Sequence, residues 1–277
     1  MSDKIIPSIS TILQSTSILS APDASATVVR VGENFAVKYG ASVSLLEAQN
    51  LDYVGKHSTV PVPEFYGTLT EESTGRNFIV MELVPGESLA KVWPSLTSSE
   101  RCNVVGQIQQ ALSDLRGIPP DGYIGSLDRQ ACADGVFWSP DNLHDPSLSG
   151  PFETEDEMNQ GILRRLESTE SESYVAFLRT LFSATLHGHQ IYFTHGDLQP
   201  KNILVERTST ATGGMTSLKI KIIDWEVSGW YPEYWEFCNA TISGRFSPDW
   251  LETVQSIMPM YLHEYLVMQV IRHLLFY

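Results

Sequence analysis

The segment 193–205, FTHGDLQPKNILV, constrains the fold and chemistry of this chain more than any other. An apolar run ends at His195 and Asp197, and Asn202 follows five residues after Asp197 at the start of a second apolar run. A third apolar run then leads to Asp224. The set offers a carboxylate that can orient a hydroxyl, together with an amide and a carboxylate that can hold Mg²⁺, which prefers oxygen ligands. Phosphoryl transfer depends mainly on positioning and charge neutralisation, and these residue types supply both.

The spacing is close to that of the protein kinases, whose signature is H-R-D-x-x-x-x-N followed by D-F-G. Here Gly196 stands in place of the Arg, and Trp225-Glu226 in place of Phe-Gly. With these replacements the chain resembles the aminoglycoside phosphotransferase family, especially its fungal branch. Further matching pieces are VKYG at 37–40, MELVPG at 81–86 and GWYPEYWE at 229–236. The resemblance extends from about residue 28 to the end of the chain.

The resemblance implies an α+β, protein-kinase-like two-lobed fold. We expect a small β-rich N-terminal nucleotide-binding lobe over residues 1–84 and a larger, mainly helical lobe over 85–277 for catalysis and substrate binding. The implied activity is ATP-dependent transfer of the γ-phosphate to a hydroxyl of a small molecule, with ATP and Mg²⁺ as cofactors. The family does not determine which small molecule accepts the phosphate.

The resemblance also assigns roles within the larger lobe. Asp197 is expected to accept the proton of the substrate hydroxyl. Asn202 and Asp224 are expected to coordinate Mg²⁺. His195 belongs to the same catalytic loop, where its ring is expected to brace the loop or to form a hydrogen bond near Asp224.

Two elements near the N-terminus are predicted to present Lys38 to the phosphates. Residues 28–39 read as a hairpin turning at 32–34, in which Lys38 shares one strand face with Ala36. Residues 43–56 read as a helix that places Glu47 on an apolar face with Asn50, where an unpaired carboxylate would be costly. Lys38 is the obvious partner for Glu47, since kinase-like enzymes use such a pair to hold the lysine on the nucleotide phosphates.

The segment 77–84 reads as a strand that ends at Pro85-Gly86 and connects the two lobes. By resemblance, Met81 lies behind the adenine. The hinge that contacts the adenine edge is then Glu82, Leu83 and Val84.

The rest of the chain is predicted to be mainly helical. A capping box, Thr97-Ser-Ser-Glu100, opens one helix, and Thr154 and Ser247-Pro248 open two others. The loop-rich stretch 117–151 is expected to pack over the larger lobe through Tyr123, Phe137 and Trp138. Apolar spacing places the remaining helices at 171–188 and 259–276, and a short helix is expected within residues 5–20.

Three features depart from the kinase signature or leave alternatives open. Only Gly32 precedes Lys38 where protein kinases have a Gly-rich loop, so either 20–27 or the Gly32 turn is expected to cover the phosphates. Glu226 is a secondary candidate that joins the metal ligands or pairs with a base. The aromatic and acidic run at 230–236 suits an amine-bearing acceptor through cation–π contacts, but core packing is favoured.

Composition limits the partners. The formal net charge of −15 argues against binding to nucleic-acid backbones, which requires clustered Lys and Arg. The three cysteines lack metal-ligand spacing and suggest no disulfide framework. The start of the chain lacks the pattern of a secretory signal, and no stretch has the length and apolar character of a membrane span, so a cytoplasmic protein is expected.

Two other functions remain open at this point. A protein kinase is disfavoured by the missing Gly-rich loop and by His-Gly-Asp in place of His-Arg-Asp. A nucleotide-binding regulatory module without catalysis is disfavoured because a pure binder has no need for Asp197. The leading hypothesis is a small-molecule kinase.

Overall fold

The computed structural model describes residues 5–138, 145–209, 216–244 and 247–276. The strands are β1 Thr27–Val31, β2 Phe35–Gly40, β3 Phe65–Glu71, β4 Arg76–Glu82, β5 Glu87–Ser88, β6 Ile191–Thr194, β7 Ile203–Ser209, β8 Thr216–Ile222 and β9 Gly229–Pro232. The helices are α1 Ile9–Leu13, α2 Leu45–His57, α3 Leu89–Val92, α4 Ser98–Arg116, α5 Pro146–Ser149, α6 Glu155–Leu166, α7 Glu172–Thr185, α8 Trp235–Gly244, α9 Pro248–Ile257 and α10 Leu262–Phe276. This composition is α+β.

The chain forms two compact units. Unit 1 comprises Met1–Glu100 and Lys201–Glu226, and unit 2 comprises Arg101–Pro200 and Val227–Tyr277. Unit 1 is discontinuous in sequence because β5, from its first part, pairs with β7, which pairs in turn with β8. The expected division into a nucleotide-binding lobe at 1–84 and a catalytic lobe at 85–277 stays a prediction. The two units describe only how the chain packs.

The main sheet of unit 1 is antiparallel, with the strand order β1-β2-β4-β3. The predicted hairpin is present: β1 and β2 pair from Thr27 opposite Tyr39 to Val31 opposite Phe35, and Gly32 turns the chain at a φ of 62°. Alternation along β2 buries Val37 in a core that includes Phe78. Lys38 therefore lies on the opposite face, where Ile79 of β4 is its register partner.

The short helix expected within residues 5–20 is present and comprises five residues. This helix, α1, ends at Leu13, because the next residues pair with the edge of the sheet instead. Ile18 bridges to Val29, and the amide of Leu19 donates to the carbonyl of Val28 at 2.7 Å. The Ser- and Thr-rich composition of this segment favours such extended pairing over helix.

Unit 2 is mainly helical, and β6 and β9 form its only named strand pair among the described residues. The expected helices at 171–188 and 259–276 are present but shorter, as α7 and α10. Part of the loop 117–151 packs as predicted: Tyr123 and Phe137 are buried, whereas Trp138 is 61% exposed, against the expectation. Residues 139–144 of this loop, and 210–215 of the turn between β7 and β8, lie outside the described residues.

No helix in the described ranges combines the length and apolar character needed to cross a membrane.

Replacing Thr97 with Ala tests the predicted capping box at the start of α4. The Thr97 amide donates to Glu100 Oε2 at 2.8 Å, and the Glu100 amide donates to Thr97 Oγ1 at 3.3 Å. Loss of the cap should lower the free energy of unfolding by about 1 kcal/mol, measured by urea denaturation. Ser99→Ala, at an exposed position in the same turn, is the control and should stay close to wild type. Equal unfolding curves for the two variants would refute the cap.

Candidate active site

Lys38 is the centre of a buried ionic cluster in unit 1. β2 carries it, and its Nζ lies 2.8 Å from Glu47 Oε2 on α2. Only 10% of the Lys38 side chain and 5% of the Glu47 side chain are exposed. This is the partner expected for Glu47 from the helical spacing. A buried carboxylate among apolar neighbours thereby gains the cation it needs.

The turn after β8 adds two more carboxylates to Lys38. Asp224 Oδ1 lies 2.6 Å and Glu226 Oε2 lies 3.2 Å from its Nζ. Burial alone would lower the pKa of Lys38, but the charges of Glu47, Asp224 and Glu226 outweigh it and raise the pKa above its ordinary value. The ammonium therefore stays charged at neutral pH. Burial raises the pKa of Glu47, against the opposing effect of Lys38.

Asp224 adopts an unusual backbone conformation. Its φ is 71°, in the left-handed region that non-glycine residues rarely occupy. Such a conformation costs of the order of 1–3 kcal/mol and persists where the surroundings hold it. Two hydrogen bonds anchor the strand before it: the amide of Ile223 donates to the carbonyl of Asn202 at 2.9 Å, and the amide of Ile222 donates to the carbonyl of Pro61 at 2.8 Å.

Carboxylate oxygens from α2 and from this turn are of the kind that could hold a magnesium ion. Carboxylate oxygens of Glu47, Asp224 and Glu226 all lie within 4.8 Å of one another. Hard oxygen ligands, only some of them from protein, are what Mg²⁺ takes beside nucleotide phosphates. The carboxylate of Glu226, a secondary candidate for a metal ligand from the sequence, therefore lies near that of Asp224. Asn202 is buried in the same unit, and its main chain contacts the Asp224 strand through Ile223.

The predicted hinge, Glu82 to Val84, begins at the last residue of β4, the strand that pairs with the Lys38 strand β2. Met81 packs against the apolar cluster that includes Ile79. The amide of Glu82 donates to the carbonyl of Glu64 at 2.9 Å, and the amide of Leu83 donates to the carbonyl of Asn34 at 2.8 Å. These two donors are therefore used within the protein.

Val84 of the predicted hinge is buried, and its carbonyl accepts from the Gly86 amide at 3.0 Å. The side chain of Glu82 pairs with Lys221, which also donates to the carbonyl of Val62 at 3.2 Å. Because Lys221 lies on β8, this contact ties β4 to the strand that ends two residues before Asp224. The adenine contacts themselves stay a prediction.

The segment 20–27, one of the two candidates for covering the phosphates, joins the sheet on the Lys38 side. Ala26 is buried in a cluster with Ile79, the residue opposite Lys38. Ser20 Oγ accepts from the Val28 amide at 3.2 Å, and Ser42 Oγ donates to the carbonyl of Ser25 at 3.1 Å. The Ser20 end of the segment is thus held to β1, and the Ser25 end is held to Ser42, which follows β2. The Gly32 turn lies at the other end of the hairpin.

In unit 2, the His195-Gly196-Asp197 loop is held by its backbone. The amides of His195 and Gly196 both donate to Glu236 Oε2, at 2.7 and 3.3 Å. The Asp197 amide donates to His195 Nδ1 at 3.2 Å, and Gln199 contacts the Asp197 carboxylate. Burial raises the pKa of Glu236, although the two amide donors oppose the shift. The His195 ring thus contacts the loop backbone at Asp197, and its role stays a prediction.

Gly196 requires its glycine. Its φ is 83°, and a Cβ atom there would lie 2.9 Å from the carbonyl oxygen of Val227 and 3.1 Å from Val227 Cγ2. Any other residue would be strained and would push against backbone. An arginine at this position would meet the same contacts with Val227.

Behind this loop lies a polar network that the sequence did not reveal. Asn239 Nδ2 donates to the carbonyl of Gly196 at 2.8 Å and to Asp134 Oδ2 at 2.9 Å. Asp134 also accepts from Trp235 Nε1 at 3.0 Å and from Arg272 Nη2 at 2.8 Å. The carboxylate is buried, with 4% of its side chain exposed. Asp134, from the 117–151 loop, therefore links α8 to α10, and Asn239 of α8 contacts the carbonyl of Gly196.

Glu236 was detectable in principle. It lies between Trp235 and Phe237, and a carboxylate in such an apolar stretch needs a partner just as Glu47 does, because burying an unpaired charge is costly. Asp134, Asn239 and Arg272 are far apart in sequence and carry no local signal. Their convergence depends on the tertiary fold.

Comparison with known families decides where the chain belongs. The sequence model of a family described as APH, phosphotransferase enzyme family, matches residues 21–265. The chain is a member of this phosphotransferase family. The resemblance seen in the sequence is confirmed, while its assignment to a fungal branch stays a prediction.

Solved structures of phosphotransferases share the fold. A thermostable mutant of aminoglycoside phosphotransferase APH(4)-Ia, in ternary complex with ADP and hygromycin B, gives a TM-score of 0.55 at 13% identity, covering 94% of this chain and 87% of that chain. The GDP complex of wild-type aminoglycoside 2'-phosphotransferase-IIIa gives 0.52 at 14% identity, covering 94% and 85%. The predicted α+β, protein-kinase-like fold is confirmed.

Two curated proteins, from two strains of Aspergillus fumigatus, match a shorter stretch. Both are described as subtelomeric hrmA-associated cluster proteins and are 38% identical to this phosphotransferase-family chain over 66 residues. The stretch is 23% of this chain and only 13% of each relative, so most of their length has no counterpart in the match.

The aromatic run at 230–236 is part of the core of this family member. All four of its aromatic side chains have no exposed surface, and Glu236 is buried as well. Trp235 stacks on Tyr231 with ring centroids 5.0 Å apart and on Phe137 at 5.6 Å. The packing interpretation is confirmed, and these rings are not available to hold an acceptor. The four aromatic residues are Trp230, Tyr231, Tyr234 and Trp235.

Gly196→Ala, compared with Gly188→Ala, tests the geometry of the catalytic loop. Both glycines have a similar positive φ, 83° and 77°, but nothing lies within 4 Å of a Cβ at Gly188. Gly188→Ala should therefore cost only the conformational strain, about 1 kcal/mol of unfolding free energy. Gly196→Ala should cost clearly more, because Val227 must shift, and phosphotransfer should fall at the same time. Equal losses of stability in urea denaturation would contradict the close approach to Val227.

Proposed function

We propose that this chain is an ATP-dependent phosphotransferase that moves the γ-phosphate to a hydroxyl group of a small molecule, with Mg²⁺. The observation that carries the proposal is the cluster of Lys38 with Glu47, Asp224 and Glu226. Family membership supports it, and related structures hold ADP with hygromycin B or hold GDP. The fold is thus one that accommodates a nucleotide and a small polyhydroxylated acceptor in those proteins.

Unit 1 supplies the groups for the nucleotide. Lys38, kept charged by its carboxylate neighbours, would contact the phosphate oxygens, while Glu47 fixes the direction of its side chain. Asp224 and Asn202 would hold Mg²⁺, with Glu226 as a third oxygen ligand beside Asp224. Mg²⁺, when bound, neutralises phosphate charge as the γ-phosphoryl group transfers. Met81, Glu82, Leu83 and Val84 would border the adenine.

Unit 2 supplies the group for the acceptor. Asp197 would accept a hydrogen bond from the acceptor hydroxyl and take its proton. As the hydroxyl oxygen forms a bond to the γ-phosphorus, the bond between that phosphorus and the bridging oxygen of ADP breaks, and ADP leaves. His195 and Glu236 would keep Asp197 in place through the loop backbone.

The two alternatives have less support. Among the residues that the structure describes, the segment before Lys38 contains no Gly-rich loop of the protein-kinase type. A regulatory module that only binds nucleotide would not require the buried support under the Asp197 loop. That support, from Glu236 and Asn239, favours catalysis.

The direct test incubates the purified protein with γ-labelled ATP or GTP, Mg²⁺ and a panel of amino sugars, amino alcohols, sugars and proteins. Transfer of label to a small hydroxylated compound is the expected result. Label appearing only on proteins would support the protein-kinase alternative. Nucleotide binding without transfer to any acceptor would support the regulatory module, and a preference for GTP would correct the nucleotide.

Asp197→Ala tests the acceptor side. It should lower kcat by about 10²- to 10⁴-fold, because it removes the group that takes the hydroxyl proton. The ATP dissociation constant, measured by calorimetry, should change by less than about twofold, since Asp197 does not contact the nucleotide in this mechanism. Asp121→Ala, at an exposed position of unit 2, is the control. Collapse of nucleotide binding in Asp197→Ala would show that the role is wrongly assigned.

Asp224→Asn tests the metal side. Binding of ATP in the presence of Mg²⁺ should weaken by roughly tenfold or more, because a charged oxygen ligand is lost. Binding in EDTA should hardly change. Asp52→Asn, which removes a surface carboxylate paired with Lys56, is the matched control and should behave as wild type. An unchanged gain in affinity from Mg²⁺ in Asp224→Asn would place the metal elsewhere.

A further inference from the structure

Helix α2 carries a second buried polar side chain, one turn after Glu47. Asn50 has no exposed surface, and Glu47 is 4% exposed. Residues three apart on a helix lie on the same face, so the two side chains point to the same side of α2. Glu47 holds Lys38, and Asn50 Nδ2 donates to the carbonyl of Trp225 at 2.8 Å. One helix face therefore contacts both the lysine and the turn that carries Asp224.

The turn needs such support. Asp224 lies at a φ of 71°, and a non-glycine residue stays there only when its surroundings fix it. Before Asp224, hydrogen bonds to Asn202 and Pro61 fix the amides of Ile223 and Ile222. After it, Trp225 Nε1 donates to the carbonyl of Ile222 at 3.0 Å, and Asn50 holds the Trp225 carbonyl. Asn50 thus fixes the peptide group between Trp225 and Glu226.

The choice of side chain also points to this role. The other buried side chains on α2 include Ala48, Leu51 and Val54, all apolar. Burying an amide costs free energy unless its polar atoms are bonded, so packing alone would be better served by an apolar residue. A peptide carbonyl buried without a partner would be costly in turn. The amide of Asn50 supplies that partner to the carbonyl of Trp225, in the Asp224 turn.

We propose that Asn50 is a positioning residue for magnesium–nucleotide binding: by holding the Trp225 carbonyl, it keeps the Asp224 and Glu226 carboxylates facing Lys38. The inference rests on the proposed function, since it assigns the turn to the metal. Asn50 acts through the backbone and contacts neither the metal nor the nucleotide. Glu47 and Asn50 then make α2 the common support of Lys38 and of the metal-binding turn.

The test compares Asn50→Leu with Val54→Ala. The first keeps the number and branching of the side-chain heavy atoms and removes the amide donor. The second removes buried volume one turn further along α2, where the side chain is apolar. For each variant and wild type, the ATP dissociation constant is measured by calorimetry in Mg²⁺ and in EDTA. The free energy of unfolding is measured by urea denaturation.

Asn50→Leu should reduce the gain in ATP affinity from Mg²⁺ by roughly tenfold, while affinity in EDTA changes by less than about twofold. Val54→Ala should lose stability yet keep the full gain. A purely structural Asn50 predicts the opposite: lower stability and an unchanged gain, which overturns the proposal. Should Asn50→Leu not fold, Asn50→Ser, which also lacks the amide donor, decides the question by the same ratio.

Failure of the proposed function gives a different result. If wild type itself binds ATP no better with Mg²⁺ than in EDTA, the metal assignment fails whatever the variants do. If wild type shows the gain and the Asn50 variants keep it, only the role of Asn50 fails. Expected loss in Asn50→Leu together with loss in Asp224→Asn supports both.

Discussion

The buried ammonium of Lys38 among three carboxylates is the interaction on which the nucleotide side of this molecule depends. In a low-dielectric interior, charges are costly unless they are paired closely, and here the pairs are 2.6 to 3.2 Å apart. The cluster joins three elements that are distant in sequence: β2, α2 and the turn after β8. The net charge of the four groups is negative, which suits the later arrival of a cation more than that of a bare phosphate.

The acceptor side of the proposed mechanism is organised in another way. In unit 2, the loop around Asp197 is fixed by hydrogen bonds to its main chain, donated to Glu236 or accepted from Asn239. These supports lie on α8 and leave the Asp197 side chain to other partners. Trp235, the first residue of α8, stacks on the rings of Phe137 and Tyr231. Side-chain identity therefore sets the chemistry, while the backbone of the loop sets its position.

Local patterns predicted a large part of this structure. Alternation placed Lys38 on one face of β2, and helical spacing placed Glu47 where it needs a cation; these two regularities together gave the ion pair. The Thr97 capping box likewise depends only on near neighbours. The point at which the short first helix ends could not be predicted, because pairing of Ile18 with Val29 depends on a strand that comes later. The network at Asp134 could not be predicted, since its partners Trp235, Asn239 and Arg272 are 101 to 138 residues away in the sequence.

The same reasoning explains why the sequence was ambiguous about the acidic residues and the structure much less so. A carboxylate in an apolar stretch signals a partner but does not name it. Glu47 and Glu236 carry the same signal, yet one pairs with a side-chain cation and the other with two backbone amides. The Glu47 arrangement leaves a charged group within reach of a ligand, because the cluster around Lys38 also contains Glu226, whose side chain is 45% exposed. The Glu236 arrangement is not accessible to a ligand, because Oε2 accepts from both loop amides and the carboxylate is buried. Accessible charge, more than the presence of a buried acid, therefore separates the groups that can act on a substrate from those that hold them in place.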